Sequence, residues 1–296
     1  MNAQEKGFLL LTAKLGNPDR KCLTAAQFRE LALRVREREI DDPDRQLCQE
    51  DLYALGYGAE MANRIVSLLS EEAEVKKYIY AGVRKQCHVT TRISTEYPPI
   101  LRAKLGQNAP ACLWMRGDLD ILDTPAIALV GSRELSEENR RFAREVGYQA
   151  ACQGYTLISG NARGADREAQ ESCLAQGGKV ISVVSDSLLD KPKQKNLLYL
   201  SEEGYDLPFS VRRALSRNRL IHALPTHGVF VAQCDLHTGG TWDGTEKNLK
   251  NNWSTVYCFE DQSPAQVELC RRGAEAVRLS DRGDIYALQT KTPSLF

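Results

Sequence analysis

Three turns in this chain combine glycine with hydroxyl or guanidinium side chains in an order that suits anion binding. The longest runs Ile158-Ser159-Gly160-Asn161-Ala162-Arg163-Gly164-Ala165-Asp166, between the apolar run Tyr155–Ile158 and a helical pattern from Ala165 to Ala175. A strand that ends in Ser159-Gly160 and turns through Arg163-Gly164 into a helix presents backbone N–H groups, the positive end of a helix dipole and a full cationic charge. Val130-Gly131-Ser132-Arg133 repeats the device one strand earlier, where Gly131 admits a ligand close to the backbone, Ser132 donates and Arg133 offers a fork of donors. Thr238-Gly239-Gly240-Thr241, ahead of a helical stretch, is a third phosphate-type turn. Asp166 opens a helix, where the dipole favours a carboxylate that can cap free N–H groups. Beside Arg163 and Arg167 it reads as an organiser of cations rather than a general acid or base.

Two cationic segments accompany these turns. Lys191, Lys193 and Lys195 follow an apolar strand, so they are either a solvated surface run or phosphate contacts on the same rim as Arg133 and Arg163. Arg212, Arg213, Arg217 and Arg219 put four arginines, with Asn218 among them, into eight residues, and no acid occurs from 207 to 234. At helical spacing Arg213 and Arg217 share one face, while Leu215, Leu220 and Ile221 mark a different, buried one. This local cluster matters because Lys+Arg and Asp+Glu balance at 39 each, so net charge cannot draw nucleic acid or membrane to the chain. The nine cysteines form no Cys-x-x-Cys pair, and His222, His227 and His237 lack metal-like spacing. No Ser/His/Asp or Cys/His set can be assembled, and the Gly-x-Gly-x-x-Gly fingerprint of dinucleotide enzymes is missing. The expectation is a binding protein without catalytic residue, metal or cofactor. No apolar run approaches roughly 18 residues, and no basic-then-apolar leader follows Met1, so a soluble cytoplasmic protein is expected.

The elements that must hold these groups follow from periodicity. Residues 1–85 carry apolar residues at helical spacing in Phe8–Leu15, Phe28–Val35, Leu52–Leu55 and Met61–Leu69, which predicts a small helical domain. Within it, 52–69 contains Leu55-Gly56-Tyr57-Gly58, the pattern of a helix-hairpin-helix. It is open to two readings, a hairpin that meets a DNA phosphate or a tight turn packing two helices, and Glu60 favours the second. Residues 86–123 read as a connecting loop leading into a short strand. From 124 to 279 strands alternate with helices: Ala126–Val130, Ser136–Gln153, Tyr155–Ser159, Ala165–Ala175, Lys179–Val184, Val211–Leu224, Gly228–Cys234, Thr245–Lys250, Thr255–Phe259 and Pro264–Arg271. That order predicts an α/β core, a mostly parallel sheet covered by helices on both faces, with ligands beyond the carboxyl ends of the strands. Residues 280–296 read as a loosely held tail.

Several of these elements, in one order from Tyr97 to Val277, resemble the DNA-processing protein A (DprA/Smf) family. The resemblance rests on Tyr97-Pro98-x-x-Leu101, Pro110–Gly117, Val130-Gly131-Ser132-Arg133, Ser159-Gly160-x-Ala162-x-Gly164-x-Asp166, Arg217-Asn218-Arg219-Leu220-Ile221 and Gly273-Ala274. It implies an extended Rossmann-like fold, binding of single-stranded DNA, assistance to a RecA-type recombinase in transformation or recombination, and a homodimer. It also implies that Arg133 and a lysine of 191–195 contact the DNA backbone in a pocket shaped by Gly131, Gly160 and Gly164. The chain departs from the family pattern where Ser210–Ser216 is inserted between Phe209 and Arg217, where Gln170 replaces a histidine, and at Thr238–Glu246. The last segment is similar to the Gly-Gly-x-Gly-Thr-x-x-Glu motif of lysine-decarboxylase-like phosphoribohydrolases, but longer by two residues. That likeness implies an alternative, a nucleotide sensor or N-glycosidase using Glu246; a phage-defence setting rests on divergence alone.

Overall fold

The computed structural model describes residues 1–38 and 45–279, so the expected tail at 280–296 lies outside the described residues. In chain order the elements are α1 (Ala3–Thr12), α2 (Ala25–Glu37), α3 (Gln49–Ala54), α4 (Ala59–Ser70), α5 (Glu72–Arg84), β1 (His88–Thr91), α6 (Pro99–Leu105), β2 (Cys112–Gly117), β3 (Ala126–Val130) and α7 (Glu137–Cys152). There follow β4 (Thr156–Ser159), α8 (Ala165–Ala175), β5 (Lys179–Val183), β6 (Leu197–Ser201), α9 (Val211–Ala223), β7 (Val229–Val231), α10 (Gly239–Asn251), β8 (Val256–Phe259), α11 (Pro264–Arg271) and β9 (Glu275–Val277). They divide into two compact units: Met1–Tyr97 with Gly106–Met115 and Glu202–Leu207, and Pro98–Leu105 with Arg116–Ser201 and the residues from Pro208 on.

In the first unit α1 and α2 each start at a capping box, with Asn2 and Thr24 accepting from the N–H groups of Glu5 and Gln27. The α3–α4 hairpin occupies the expected place. Gly56 turns it at φ 84°, where a side chain would be strained. Arg34 secures the turn, donating to the Leu55 carbonyl at 2.7 Å and lying over the Tyr57 ring at 4.6 Å. Within 86–123 the expected short strand is β2, and the loop ahead of it holds an unexpected antiparallel partner, β1, with His88 opposite Met115 and Thr91 opposite Cys112.

The second unit holds parallel strands in the order β6-β5-β4-β3-β7-β8-β9. β3 is buried along its whole length, as its run of Ala, Ile, Leu and Val requires of a central parallel strand. Ser136 caps α7 by accepting from the Asn139 N–H, and α7 packs on α8 so closely that a Cβ at Gly147 would collide with the Ala169 carbonyl. From β3 the chain adds β4 on one side, and later β7 on the other. The strand order therefore reverses between β3 and β7, and the carboxyl ends of these two strands flank a crevice. The sequence reading missed β6 and β9, and it started α10 too late: Gly239 and Gly240 form its first turn rather than a loop ahead of it. No helix among the described residues is long and apolar enough to cross a membrane.

Candidate nucleic-acid interface

A cleft of about 730 Å³ opens over the carboxyl ends of β3 and β7, and a second of about 410 Å³ lies beside it over β4 and β5. Both volumes fall in the range of small-ligand sites. Arg133, Arg163, Arg217 and Phe209 line both clefts, so three guanidinium groups and one aromatic ring form the partition between them.

The turn from Ile158 to Asp166 is built differently from the sequence expectation. Asp166, 7 % exposed, accepts from the N–H groups of Ala162, at 3.0 Å, and Gly160. The Ala165 N–H donates to the Ser132 carbonyl at 3.1 Å. Three donors that the sequence offered to a phosphate are thus already paired inside the chain. Burial pushes the Asp166 carboxyl above its ordinary range, while Arg217, these N–H groups and Arg133 pull it back. The glycines serve packing. At Gly160 a Cβ would collide with the Arg217 guanidinium; at Gly131 it would come within 2.5 Å of the Ala165 Cβ. Gly164, at φ 86°, passes against the carbonyls of Ser132 and Arg133. Ser159 is fully buried and accepts from Gln170 beneath the turn, so it does not reach the clefts.

The face of α9 departs from the expectation in part. Arg213 and Arg217 are buried, whereas Leu215 is 46 % exposed; Leu220 and Ile221 are buried as expected. The reason lies in what the helix covers. Arg213 donates to the Ser185 carbonyl at 3.2 Å, and Arg217 stacks over Gly160 with the charge of Asp166 beside it. Arg219 donates to the carbonyl and hydroxyl of Ser216, and Asn218 to the Gly240 carbonyl at 3.0 Å. Thr241 donates to the Gly131 carbonyl at 3.0 Å, tying the first turn of α10, with Gly239 and Gly240, to the end of β3.

Two cations remain turned outward. Arg133 is exposed, and no hydrogen bond or ion pair holds its side chain among the described residues; Arg163 is 74 % exposed and 3.7 Å from an oxygen of Glu134. Beside them the Ser132 N–H donates to the Gln233 carbonyl and its hydroxyl accepts from the Glu134 N–H. Of the lysines, only Lys191 comes near this rim, through Asp186 at the border of the smaller cleft. β6 runs parallel to β5, so its first residue lies at the amino edge of the sheet, where the Asn196 carbonyl accepts from Val180 and its amide donates to Gly177. Lys195 is therefore at the opposite edge from Arg133, and neither it nor Lys193 lines a cleft. Lys191 is paired with Asp186 at 2.6 Å. Glu246, the candidate carboxylate of the enzyme alternative, is ion-paired with Arg272 and lines neither cleft. The sequence reading overlooked Phe209, 56 % exposed, and Asp235, which lines the larger cleft. An apolar ring at the head of an acid-free, arginine-rich segment was the available signal for Phe209.

A family model described as DNA recombination-mediator protein A matches residues 88–284. The chain belongs to this family. Among curated relatives, DNA processing protein DprA of Streptococcus pneumoniae is 34 % identical over 142 residues, 45 % of this chain and 50 % of the relative. Protein Smf of Escherichia coli is 31 % identical over 163 residues, 51 % of this chain and 43 % of the relative. The chain spans about half the length of the curated relatives it matches. Among solved structures, DNA processing protein A of S. pneumoniae matches with a TM-score of 0.66 and 23 % identity over 86 % of this chain and 95 % of the other, a likeness of fold. DNA processing protein A of Helicobacter pylori, which binds single-stranded DNA, matches with a TM-score of 0.54 and 25 % identity over 64 % and 90 %. The expected family and α/β fold are both found.

In this family member His222 supports the cleft from behind. It is buried beneath the floor with its Nδ1 3.2 Å from the Asn248 amide nitrogen, and its carbonyl accepts from Ser254 at 2.8 Å. Burial pushes the imidazole down to about 3, against an opposing pull from Asp243. In the unfolded chain the ring titrates near its ordinary value of about 6.5. Between those values the unfolded state binds the proton first, so stability is lost as pH falls through that window, by about 1.4 kcal/mol per pH unit. Urea midpoints measured from pH 7 to 4 are expected to fall, and to fall less steeply in His222→Gln. An equal slope in the variant would show that another group drives the acid loss.

Proposed function

We propose that this DNA-processing family member binds single-stranded DNA along the paired clefts, and that in doing so it assists the loading of a RecA-type recombinase, acting as a homodimer. The observation that carries the reading is Arg133, an exposed cation lining both clefts with no side chain holding it, next to the exposed Arg163. A fork of donors free to turn toward solvent suits a phosphate oxygen. Phe209, exposed between the clefts, offers a face on which an unpaired base can stack. A duplex keeps its base faces covered, so this pairing of ring and cations favours the single strand. The H. pylori relative, which binds single-stranded DNA, supports the same reading.

Fluorescence anisotropy with a labelled single strand and its duplex tests this directly. The single strand is expected to bind tighter by about tenfold or more, as one stacked base contributes 1–3 kcal/mol, with affinity falling as salt rises. Equal affinity for the two, or none at low salt, would remove the proposal. Recombinase loading is read separately, as faster filament growth on a strand precoated with a single-strand-binding protein.

A further inference from the structure

The two clefts differ in chemistry. The smaller is bordered by polar backbone and by Asp186, whose charge is matched by Lys191. The larger adds an apolar lip formed by the first two turns of α9, where Val211 is 65 % and Leu215 46 % exposed. Leu215 reaches toward the first turn of α10, its Cδ2 lying 3.6 Å from where a Cβ would stand on Gly240. Two apolar side chains one helical turn apart, left open to water beside a cationic partition, are suited to a flat apolar face that carries a phosphate at its edge. Asp235, an exposed carboxylate with no hydrogen bond or ion pair to its side chain among the described residues, also lines this cleft.

Resting on the single-stranded DNA reading above, we propose that the larger cleft is a base compartment: Val211 and Leu215 cover the face of one unstacked base, and Asp235 selects a base with an exocyclic amino group. The cations at the partition hold the phosphate by charge complementarity, and burial of its apolar face then draws the attached base onto the lip. A carboxylate accepts a hydrogen bond from the N4 amino group of cytosine. Thymine presents a carbonyl oxygen at the same position, and two acceptors repel.

Three ligands of equal length separate the possibilities: oligo(dC), oligo(dT) and an abasic deoxyribose-phosphate strand, each titrated against wild type, Val211→Ser/Leu215→Ser and Asp235→Ala at one salt concentration. All the substituted side chains are exposed, so the variants keep the fold. Wild type is expected to bind oligo(dC) about fivefold tighter than oligo(dT), on the scale of one solvent-exposed base contact. It is expected to bind either base-bearing strand about tenfold tighter than the abasic one, on the scale of one buried base. The double variant should weaken both base-bearing strands and leave the abasic strand unchanged; Asp235→Ala should equalise oligo(dC) and oligo(dT). Abasic binding as tight as oligo(dC), equal loss on all three ligands in the double variant, or no preference between dC and dT in wild type overturns the compartment while single-strand binding stands. Absence of binding to every strand removes the underlying reading instead, and the compartment with it.

Discussion

Replacing Arg133 with alanine is expected to weaken single-stranded DNA binding by about tenfold to a hundredfold at low salt, with little change in stability. The size follows from losing one charge-assisted phosphate contact, about 1.5–3 kcal/mol. The dependence on salt carries more information than the affinity. Each phosphate neutralised on a single strand contributes about 0.7 to the slope of log affinity against log salt, so the variant's slope should be shallower by about that amount. Arg133 is exposed and has no hydrogen bond or ion pair among the described residues, so only its pull on the buried Asp166 carboxyl is lost with it and thermal unfolding should change little. Lys195→Ala is the matched control. It removes a charge of the same sign from the far edge of the sheet, and a phosphate contact cannot be lost there. An unchanged affinity and slope in Arg133→Ala, or an equal loss in Lys195→Ala, would sink the assignment of the clefts as the DNA site.

The Asp166→Ala variant is expected to act on the fold first and on binding as a consequence. Arg217 is 8 % exposed, and the carboxyl of Asp166 is a charge-bearing group beside it over Gly160. Removing a carboxyl from beside a buried guanidinium is costly, up to about 3–5 kcal/mol where the two act as a buried pair. The N–H groups of Ala162 and Gly160 lose their acceptor in the same step. For a unit of this size each kcal/mol moves the midpoint by about 2–4 °C, so Tm should drop by on the order of ten degrees. The raised pKa of Asp166 makes the point sharper. Burial outweighs the pull of Arg217 and the turn's N–H groups on this carboxyl, so its ionisation is coupled to the position of Arg217. Asp166→Asn, which keeps the shape and one acceptor, should fall between wild type and alanine in differential scanning calorimetry. A midpoint in Asp166→Ala equal to that of wild type would mean that Arg217 is held by other groups.

Much of the second unit was legible because strands buried on both faces spell themselves out. Ala126–Val130, Ala165–Ala175 and Pro264–Arg271 fall where apolar runs, helical spacing and a Ser-Pro start put them. β6 was not legible because Leu197–Ser201 follows a lysine run and has no helix between it and β5, so the segment looked like a loop. That single omission moved Lys195 to the wrong edge of the sheet. The arginines of α9 misled for another reason. Apolar residues ordinarily choose the buried face of a helix, but here part of the buried surface lies over the Asp166 carboxyl and the Ser185 carbonyl, which draw two guanidinium groups in beside Leu220 and Ile221. Neither Asp166 nor Ser185 is near α9 in the chain, and no local pattern could announce them. The glycine turns were found by type, while their function was misassigned because donor occupancy depends on contacts made across the fold.

The closed accounts of the Ile158–Asp166 turn have a bearing on motion. A phosphate gripped by backbone N–H groups sits at one point, since those donors move only if the turn itself rearranges. Here the N–H groups of Gly160, Ala162 and Ala165 face inward, and the outward charge belongs to Arg133 and Arg163, each at the end of a stem with several rotatable bonds. Such a grip has slack. It can follow a phosphate over a few ångströms before letting go, and can pass it to its neighbour without both contacts breaking together. A rigid cradle under two jointed arms is a tether for something that creeps through the site, in contrast to a socket that selects one resting place.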